Sequence, residues 1–249
     1  MSSDAAVTLD ADSVRVLVAT LRKASSFESL RDTFAQQLTA FGVKMMSYHH
    51  LPPLGASDFQ SHIAVFAHGF PDAWVSRYVQ DQLYRIDPIS RKAAVASLPF
   101  RWSAVTSFGD LSTQERRYLQ MLEAARLGDG LAIPVFGPHG RNGYVGFGFG
   151  TATLPIDEEQ IGLLHWVAQL GHLIYCSLLR VAPADELKLA PREREVLQLA
   201  ARGNSNGAIA EALQVSRHTV DTHMRRIFSK LDVGDRVTAV LRALSLGLI

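Results

Sequence analysis

The sequence predicts an α+β fold, with an N-terminal α-β-α sandwich around an antiparallel sheet and an all-α C-terminal domain. Segments with helical apolar spacing come before, between and after two pairs of strand-like segments. Each pair is joined by a turn containing Pro and Gly, which is typical of antiparallel neighbours, so the helices are expected on the faces of the sheet. Residues 191–249 have helical spacing and no strand pattern.

The elements of the first domain can be placed along the chain from spacing and turn residues. In order, we expect helices over 12–24 and 26–42, a strand pair at 43–51 and 61–69 around the turn "PPLGA", helices over 71–85 and 112–127, a hairpin of strands at 130–137 and 143–150 around "PHGRN", and a long helix capped by Asp157. Asp10 or Asp12 can cap the first helix. The long helix is expected to bury an apolar stripe consisting of Ile161, Leu164, Ala168, Leu170, Ile174, Leu178 and Leu179.

A linker is predicted at residues 181–190, where "VAPADELKLA" combines a proline with small residues and little apolar periodicity. It separates an N-terminal domain, residues 1–180, from a C-terminal domain, residues 191–249. The C-terminal domain is expected to consist of short helices at about 191–202, 206–213, 217–231 and 235–246.

Composition argues against several protein classes. The chain has 249 residues, 47% of them hydrophobic, and no uncharged apolar run long enough to span a membrane. Its first residues carry Asp4, Asp10 and Asp12 rather than a signal-peptide pattern. The single cysteine, Cys176, allows no internal disulfide and has no partners for a zinc site. We therefore expect a cytoplasmic protein without membrane contact, metal or cofactor.

The C-terminal domain has the layout of a helix-turn-helix. Pro191 suits the first turn of a helix, Gly203 its left-handed end, and Ser216 the cap of the third helix. One face of that third helix is apolar, with Val220, Met224, Ile227, Phe228 and Leu231. The opposite face carries His218, Asp221, Thr222, Arg225 and Ser229, with Arg226 at its edge.

Such a helix can enter the major groove of double-stranded DNA, where Arg can form two hydrogen bonds with guanine. A solvated helix with scattered charges would look similar. However, residues 188–249 contain 10 basic and 6 acidic residues, whereas residues 1–187 contain 15 and 18. This local basic excess and the capped tight turn favour DNA binding.

No pattern of an enzyme or of a phosphorylated receiver is found in the first domain. The sequence lacks G-x-S-x-G, H-E-x-x-H and P-loop motifs, and His49, His50, His62 and His68 are isolated on the expected strands. The alternating glycines of "GYVGFGFG" instead predict a sheet face that is left open, so that another group can approach it closely.

The C-terminal domain resembles the LuxR-type helix-turn-helix family. Glu193, Leu197 and Gly203 match its pattern, and "IAEALQVSRHTVDTHMRRIFSKLDV" follows its recognition segment closely. The resemblance implies that the third helix contacts promoter DNA and that the fourth pairs two copies of the module through Leu241, Leu244 and Leu248. DNA contacts are then expected from Arg217, His218, Thr219, Asp221, Thr222, Arg225, Arg226 and Lys230.

One position departs from this family. Asp221 stands where Lys or Arg is common, and an acid can accept a hydrogen bond from cytosine but cannot bond phosphate. Asp221 is therefore expected either to alter the DNA sequence that is recognised or to lower the affinity for DNA.

The first domain carries Trp74, Tyr78, Asp87 before Pro88, Trp102 and Gly130. In these residues and their intervals it resembles the autoinducer-binding domain of LuxR-type quorum-sensing receptors. It implies that Trp74 donates to the lactone carbonyl of an N-acyl-homoserine lactone and that Asp87 accepts the ligand's amide N–H. Tyr78 and Trp102 would line the pocket. The implied protein is a dimeric transcription factor that regulates promoters in quorum sensing and is not an enzyme, with RNA polymerase as a further partner.

Two departures concern the ligand. Phe70 stands where the family often has Tyr, and Gly146 where it often has Ser or Thr, so two hydroxyl groups are missing. The space left at Gly146 and Gly148 favours a long acyl chain, and Phe70 could stack on an aromatic one. The same departures leave open an orphan regulator that responds to a different ligand or binds DNA without one.

Overall fold

The computed structural model describes residues 9–56, 65–179 and 189–249. Contacts between Cα atoms divide the chain into two compact units: the helices and strands up to Leu178 belong to the first, and the last four helices to the second. The linker predicted at 181–190 lies outside the described residues, apart from its last two positions.

The first unit alternates helices and strands. In chain order it contains α1 (Ala11–Leu21), α2 (Phe27–Thr39), β1 (Met45–Leu51), β2 (Val65–His68), α3 (Asp72–Gln80), α4 (Pro88–Ala93), β3 (Phe100–Arg101), α5 (Thr113–Ala124), β4 (Gly130–Phe136), β5 (Asn142–Gly148) and α6 (Glu158–Leu178). Short 3-10 turns occur at Leu83–Arg85, Trp102–Phe108 and Pro138–Gly140.

The strands form one antiparallel sheet in the order β2-β1-β5-β4-β3. Side chains of β1 alternate between its two faces. Met46 and Tyr48 face α2 and α6, whereas Ser47 and His49 face α3 and α5. Helices therefore cover both faces of an antiparallel sheet, which confirms the predicted α-β-α sandwich.

The predicted helix starts agree with the caps. Asp10 accepts from the N–H of Ser13 at 2.8 Å at the start of α1, and Asp157 accepts from that of Gln160 at 2.9 Å before α6. The helix predicted over 71–85 ends at Gln80 instead, because Gln82 is left-handed with φ of 51°.

Two elements were not predicted from the sequence. α4 and β3 are six and two residues long, too short for apolar periodicity to indicate them. The first residues of the strand predicted at 61–69 lie outside the described residues, and β2 accounts for its second half.

By length and composition α6 could cross a membrane, but one of its faces packs against α1, α2 and β4 of the same unit. The predicted stripe was partly wrong, since only Leu164 and Ala168 of its members are fully buried. The buried face consists of Leu164, Val167, Ala168, Gly171, His172 and Tyr175. The buried face differs from the predicted stripe for a physical reason at Gly171, where a Cβ atom would lie 2.2 Å from the Phe34 ring. Glycine lets α2 approach closely on this side.

The second unit contains α7 (Pro191–Ala201), α8 (Asn206–Leu213), α9 (Arg217–Leu231) and α10 (Arg236–Ser245), close to the predicted bounds. Gly203 follows α7 with φ of 84°, and Ser216 accepts from the N–H of Thr219 at 3.0 Å, as the predicted end and cap require. The predicted apolar face of α9 is confirmed, since Val220, Met224, Ile227 and Leu231 are buried and Phe228 packs against them.

Candidate functional site

A cavity of about 400 Å³ lies between the sheet and α3, α4 and α5. This volume is in the range of small-molecule binding sites. Five of the predicted ligand-binding residues line it: Phe70, Trp74, Tyr78, Asp87 and Trp102. The other lining residues are Arg31, Ser47, His49, Phe66, Ala67, Val75, Val79, Ile89, Tyr118, Leu122 and Tyr144.

Asp87 is held in the cavity wall as the N-cap of α4. Its Oδ1 accepts from the N–H groups of Ile89 at 2.8 Å and Ser90 at 3.3 Å, and its Oδ2 accepts from the Tyr78 hydroxyl at 2.9 Å. Burial raises the pKa of the carboxyl from 3.8 to about 6, against the opposing effect of these hydrogen bonds. The residue is 4% exposed, so the carboxylate is a costly group to leave only partly satisfied.

Trp74 and Tyr78 lie one turn apart on α3 and both are buried. Their rings contact Tyr118 of α5, with centroids 6.1 Å and 6.4 Å away. Among the described residues, no hydrogen-bond partner of the Trp74 indole N–H is found. Trp74 can therefore donate to a bound molecule without losing an internal hydrogen bond.

Trp102 is fixed by a carboxylate that directly precedes the neighbouring strand β4. Asp129 accepts from the N–H and hydroxyl of Ser103 at 3.0 Å and 2.8 Å, which anchors the chain directly after Trp102. The indole then lies over Gly130, where a Cβ atom would be 2.7 Å from the ring. Gly130 thus supports Trp102 rather than lining the cavity. Phe70 stacks on the same indole at 6.5 Å.

The space predicted at Gly146 and Gly148 is not open, so this expectation was wrong. A Cβ atom at Gly146 would lie 2.5 Å from the Ser47 hydroxyl oxygen, and one at Gly148 would lie 2.8 Å from the Met45 methyl carbon. The face of β5 was expected to be left open, but side chains of this chain approach its glycines and fill it.

Sequence reasoning missed the polar residues of the cavity that come from the sheet and from α5. Ser47, His49, Tyr118 and Tyr144 all line it. A signal was present on β1, since Ser47 and His49 alternate with Met46 and Tyr48 in an otherwise buried strand. Alternation shows that they share a face, but only the fold shows that this face borders the cavity.

The exposed side of α9 carries most of the predicted DNA-binding residues. Arg217, His218, Arg225 and Arg226 are exposed, and Thr219 and Thr222 are half-buried. Thr222 donates to the His218 carbonyl and accepts from Arg225 at 3.3 Å. Basic and hydroxyl groups therefore project from one accessible helix surface, as major-groove binding requires.

Two of the predicted DNA-binding residues are engaged inside the module. Asp221 accepts from the Asn206 amide at 2.7 Å, and Asn206 in turn accepts from Arg236 at 2.9 Å. Lys230 donates to the buried Glu193 at 2.6 Å. Asp221 thus joins α9 to α8 and α10, and Lys230 joins α9 to α7, so both fix the orientation of α9.

The fourth helix and the residues after it were expected to pair two copies of the module, and only some of the residues named for this role are accessible. Leu248 is 4% exposed and belongs to the module's own core, so it is not available for pairing two copies. Leu244 remains 47% exposed, and Val237 on the same helix is 67% exposed.

No cluster of three or more His, Cys, Asp or Glu side chains that could hold a metal ion occurs within residues 9–56, 65–179 and 189–249.

Comparison with known families assigns both parts of the chain. Residues 26–174 match the model of the autoinducer binding domain, and residues 187–243 match that of bacterial regulatory proteins of the luxR family. Together these matches cover the cavity and the α9 surface.

Comparison with individual proteins agrees. The chain is 30% identical over 183 residues to the HTH-type quorum sensing-dependent transcriptional regulator RpaR of Rhodopseudomonas palustris, covering 74% of each chain. It is 29% identical to the transcriptional activator protein BjaR1 of Bradyrhizobium diazoefficiens, over 72% of this chain and 74% of that one. The fold is similar to crystalline Escherichia coli SdiA, with a TM-score of 0.72 and 21% identity over 95% of this chain and 97% of that one.

RpaR and BjaR1 are transcriptional regulators rather than enzymes, which confirms the expectation that the chain is not an enzyme. The chain belongs to the LuxR family of autoinducer-binding, quorum-sensing transcriptional regulators.

Proposed function

We propose that this regulator binds an N-acyl-homoserine lactone with a long acyl chain in residues 1–180 and promoter DNA through residues 191–249, with 181–190 as linker. The observation that carries the proposal is the buried Asp87 carboxylate on the wall of a largely apolar cavity. Such a lactone has one amide donor, several carbonyl acceptors and an apolar tail, which match these groups.

In this proposal Asp87 accepts the amide N–H of the ligand and the Trp74 indole donates to the lactone carbonyl. Phe70, Tyr78 and Trp102 enclose the head group. Gly130 and Gly146 contribute indirectly, because the absence of a Cβ atom leaves room for the Trp102 indole and the Ser47 hydroxyl.

The long acyl chain is supported by the volume of the cavity and by the apolar part of its lining. Phe66, Ala67, Val75, Val79 and Leu122 offer hydrocarbon surface for a tail. The glycines of β5 no longer support it, since their space is occupied.

The regulator is proposed to act in the cytoplasm as a homodimer on a two-fold promoter site, with RNA polymerase as a further partner. Apolar side chains exposed on α6 and α10 support pairing: Trp166, Leu173, Val237 and Leu244. The ligand would favour the dimer-competent folded state by binding it preferentially.

The direct test is to express the protein in cells that produce mixed acyl-homoserine lactones, purify it, and identify the bound molecule by mass spectrometry. We expect a lactone with a long chain, a higher melting temperature than for ligand-free protein, and a dimer in sedimentation velocity. Absence of any lactone, together with no stabilisation by added lactones, contradicts the proposal.

A second candidate is an acyl ligand without a lactone ring. SdiA, similar in fold at 20% identity, has been solved in complex with octanoyl-rac-glycerol, and Phe70 lacks the hydroxyl that the family often has at this position. The same mass-spectrometric experiment distinguishes the two, and DNA binding by ligand-free protein would favour an orphan regulator.

The affinity for the lactone is expected to fall as the pH decreases through about 6. An ionised carboxylate accepts the ligand's amide N–H more strongly than a protonated one, and burial raises the pKa of Asp87 to about 6 in the ligand-free protein. Below this pH, affinity should fall by up to about tenfold per pH unit because binding must first remove a proton. Calorimetry between pH 7.5 and 5 measures the effect, and an analogue with an ester oxygen in place of the amide N–H should lose it.

The raised pKa of Asp87 also affects the stability of the ligand-free protein, which is expected to increase as the pH decreases, whereas the affinity for the lactone decreases. A folded pKa above the unfolded value means that protonation of Asp87 favours folding. This contribution is complete below the unfolded pKa of 3.8 and is lost as the pH rises through about 6. Stabilisation by the ligand should therefore be largest above pH 6. Equal stabilisation at pH 7.5 and pH 5 would argue against an amide contact with Asp87.

A further inference from the structure

The sheet contributes a row of polar groups to the cavity. Ser47 and His49 of β1 lie on one face, and the strand register places Tyr144 of β5 opposite His49 and Gly146 opposite Ser47. The side chains of Ser47, His49 and Tyr144 are buried and line the cavity. This wall is polar, in contrast to the hydrocarbon surface provided by Phe66, Val75 and Val79.

His49 is the unsatisfied member of this row. The residue is 2% exposed, and its Nδ1 atom is buried without a hydrogen-bond partner among the described residues. Its ring stacks on Tyr144, with centroids 4.4 Å apart, and meets Tyr78 edge-on at 6.1 Å. The aromatic rings hold the imidazole in place without satisfying its nitrogen atoms.

Burial lowers the pKa of His49 to about 3, so the imidazole is neutral near pH 7. A neutral imidazole has one nitrogen that donates and one that accepts. A buried polar atom without a partner weakens the state that contains it, and a ligand group that satisfies it strengthens binding. A hydroxyl suits the imidazole in either tautomer because it both donates and accepts, whereas a ketone oxygen requires the tautomer that carries the proton on the contacting nitrogen.

The position of His49 relative to Asp87 indicates where such a hydroxyl would lie. The Tyr78 hydroxyl donates to Asp87, and the ring of the same Tyr78 contacts His49. Tyr78 therefore contacts both His49 and Asp87, and Asp87 is the group proposed to bind the ligand amide. A ligand atom near His49 would be close to the amide end of the acyl chain.

We propose that His49 is a specificity-determining residue that hydrogen-bonds a hydroxyl group on the acyl chain close to the amide, so that the preferred signal is a hydroxyacyl-homoserine lactone. This inference rests on the proposed function and adds the chemical class of the acyl group. An unsubstituted chain would leave the His49 imidazole without a polar partner from the ligand, and the preference would come from that difference.

The test uses three synthetic lactones of one chain length, with methylene, ketone or hydroxyl at the carbon β to the amide. Affinities are measured by calorimetry for the full chain and for His49→Phe, His49→Asn and Val75→Ala. His49→Phe keeps an aromatic ring and removes the nitrogen atoms. His49→Asn keeps a polar atom near the position of Nδ1, and Val75→Ala changes an apolar wall residue as the matched control.

We expect the unmodified protein to bind the hydroxyl form about tenfold more tightly than the unsubstituted form. His49→Phe should abolish this ratio without lowering the melting temperature of the ligand-free protein, whereas His49→Asn and Val75→Ala should keep it. If His49→Phe does not fold, a ratio in His49→Asn well above one still supports the inference, and a ratio near one overturns it.

Two other results overturn the inference while leaving the proposed function intact: equal affinities for all three lactones, as expected if water satisfies Nδ1, or a hydroxyl preference that persists in His49→Phe. If none of the lactones binds, the proposed function fails and this inference fails with it.

Discussion

Replacing Asp87 with Asn is expected to abolish the response to the lactone and to weaken ligand binding by about tenfold to a hundredfold. The carboxylate already accepts from Tyr78, Ile89 and Ser90 and also interacts with the Tyr118 hydroxyl, so the ligand N–H would share the ionised group with these hydroxyl groups. An Asn amide has only one acceptor oxygen, so its NH₂ group would face either the Tyr78 hydroxyl or the ligand N–H. Loss of a hydrogen bond to a charged group accounts for the expected magnitude.

The substitution should preserve the local fold. Asn is as good a helix N-cap as Asp, so α4 should still begin at Pro88. Isothermal calorimetry and a promoter-reporter assay measure the effect. Tyr84→Phe is the matched control, because Tyr84 packs beside Tyr78 without lining the cavity. Unchanged affinity and unchanged reporter response in Asp87→Asn would rule out the proposed amide contact.

Replacing Arg225 with Ala is expected to weaken specific promoter binding by about fivefold to a hundredfold and to relax the preference for one DNA sequence. Arg225 is exposed on α9 and is oriented by Thr222, whose hydroxyl accepts from it at 3.3 Å. A guanidinium that can reach base edges contributes to specificity, whereas a phosphate contact contributes to affinity for any sequence.

Fluorescence anisotropy with the promoter fragment and with scrambled DNA at several salt concentrations measures both the sequence specificity and the affinity for any DNA sequence. Arg194→Ala removes the same charge from an exposed position on α7 and serves as the matched control. Arg226→Ala, at the edge of the surface, should weaken binding to both DNAs alike. If Arg225→Ala also weakens both DNAs equally, Arg225 contacts phosphate rather than a base.

The hydrogen bonds of Asp221 change its interpretation. From the sequence it was expected to alter base recognition or to reduce affinity, because it replaces a basic residue. In the folded module its carboxylate accepts from Asn206, which is itself bonded to Arg236 of α10. The acid therefore helps to hold α9 against its neighbours, and Arg225 one turn later remains our proposed base contact.

Much of this protein could be predicted from contiguous stretches of sequence. Helix caps at Asp10, Asp157 and Ser216, the left-handed end at Gly203 and the apolar face of α9 depend on residues within one or two turns of each other. Such signals are local, since caps and amphipathic spacing act within a single helix. The spacing of Trp74, Tyr78, Asp87 and Trp102 likewise indicated which residues would line the cavity, through resemblance to a family.

The rest was decided by tertiary structure, because it depends on pairing between distant segments. Register between β1 and β5 brings Ser47 over Gly146 and His49 against Tyr144, which closes the space expected at the glycines and makes one cavity wall polar. Burial alone raises the pKa of Asp87, and in the part of the chain that the structure describes it leaves the His49 Nδ1 atom without a hydrogen-bond partner. Neither effect can be assigned from neighbouring residues, since desolvation depends on what the whole fold packs around a group. The sequence by itself therefore determined the elements and the family, whereas the packing of distant strands and helices decided the chemistry of the cavity.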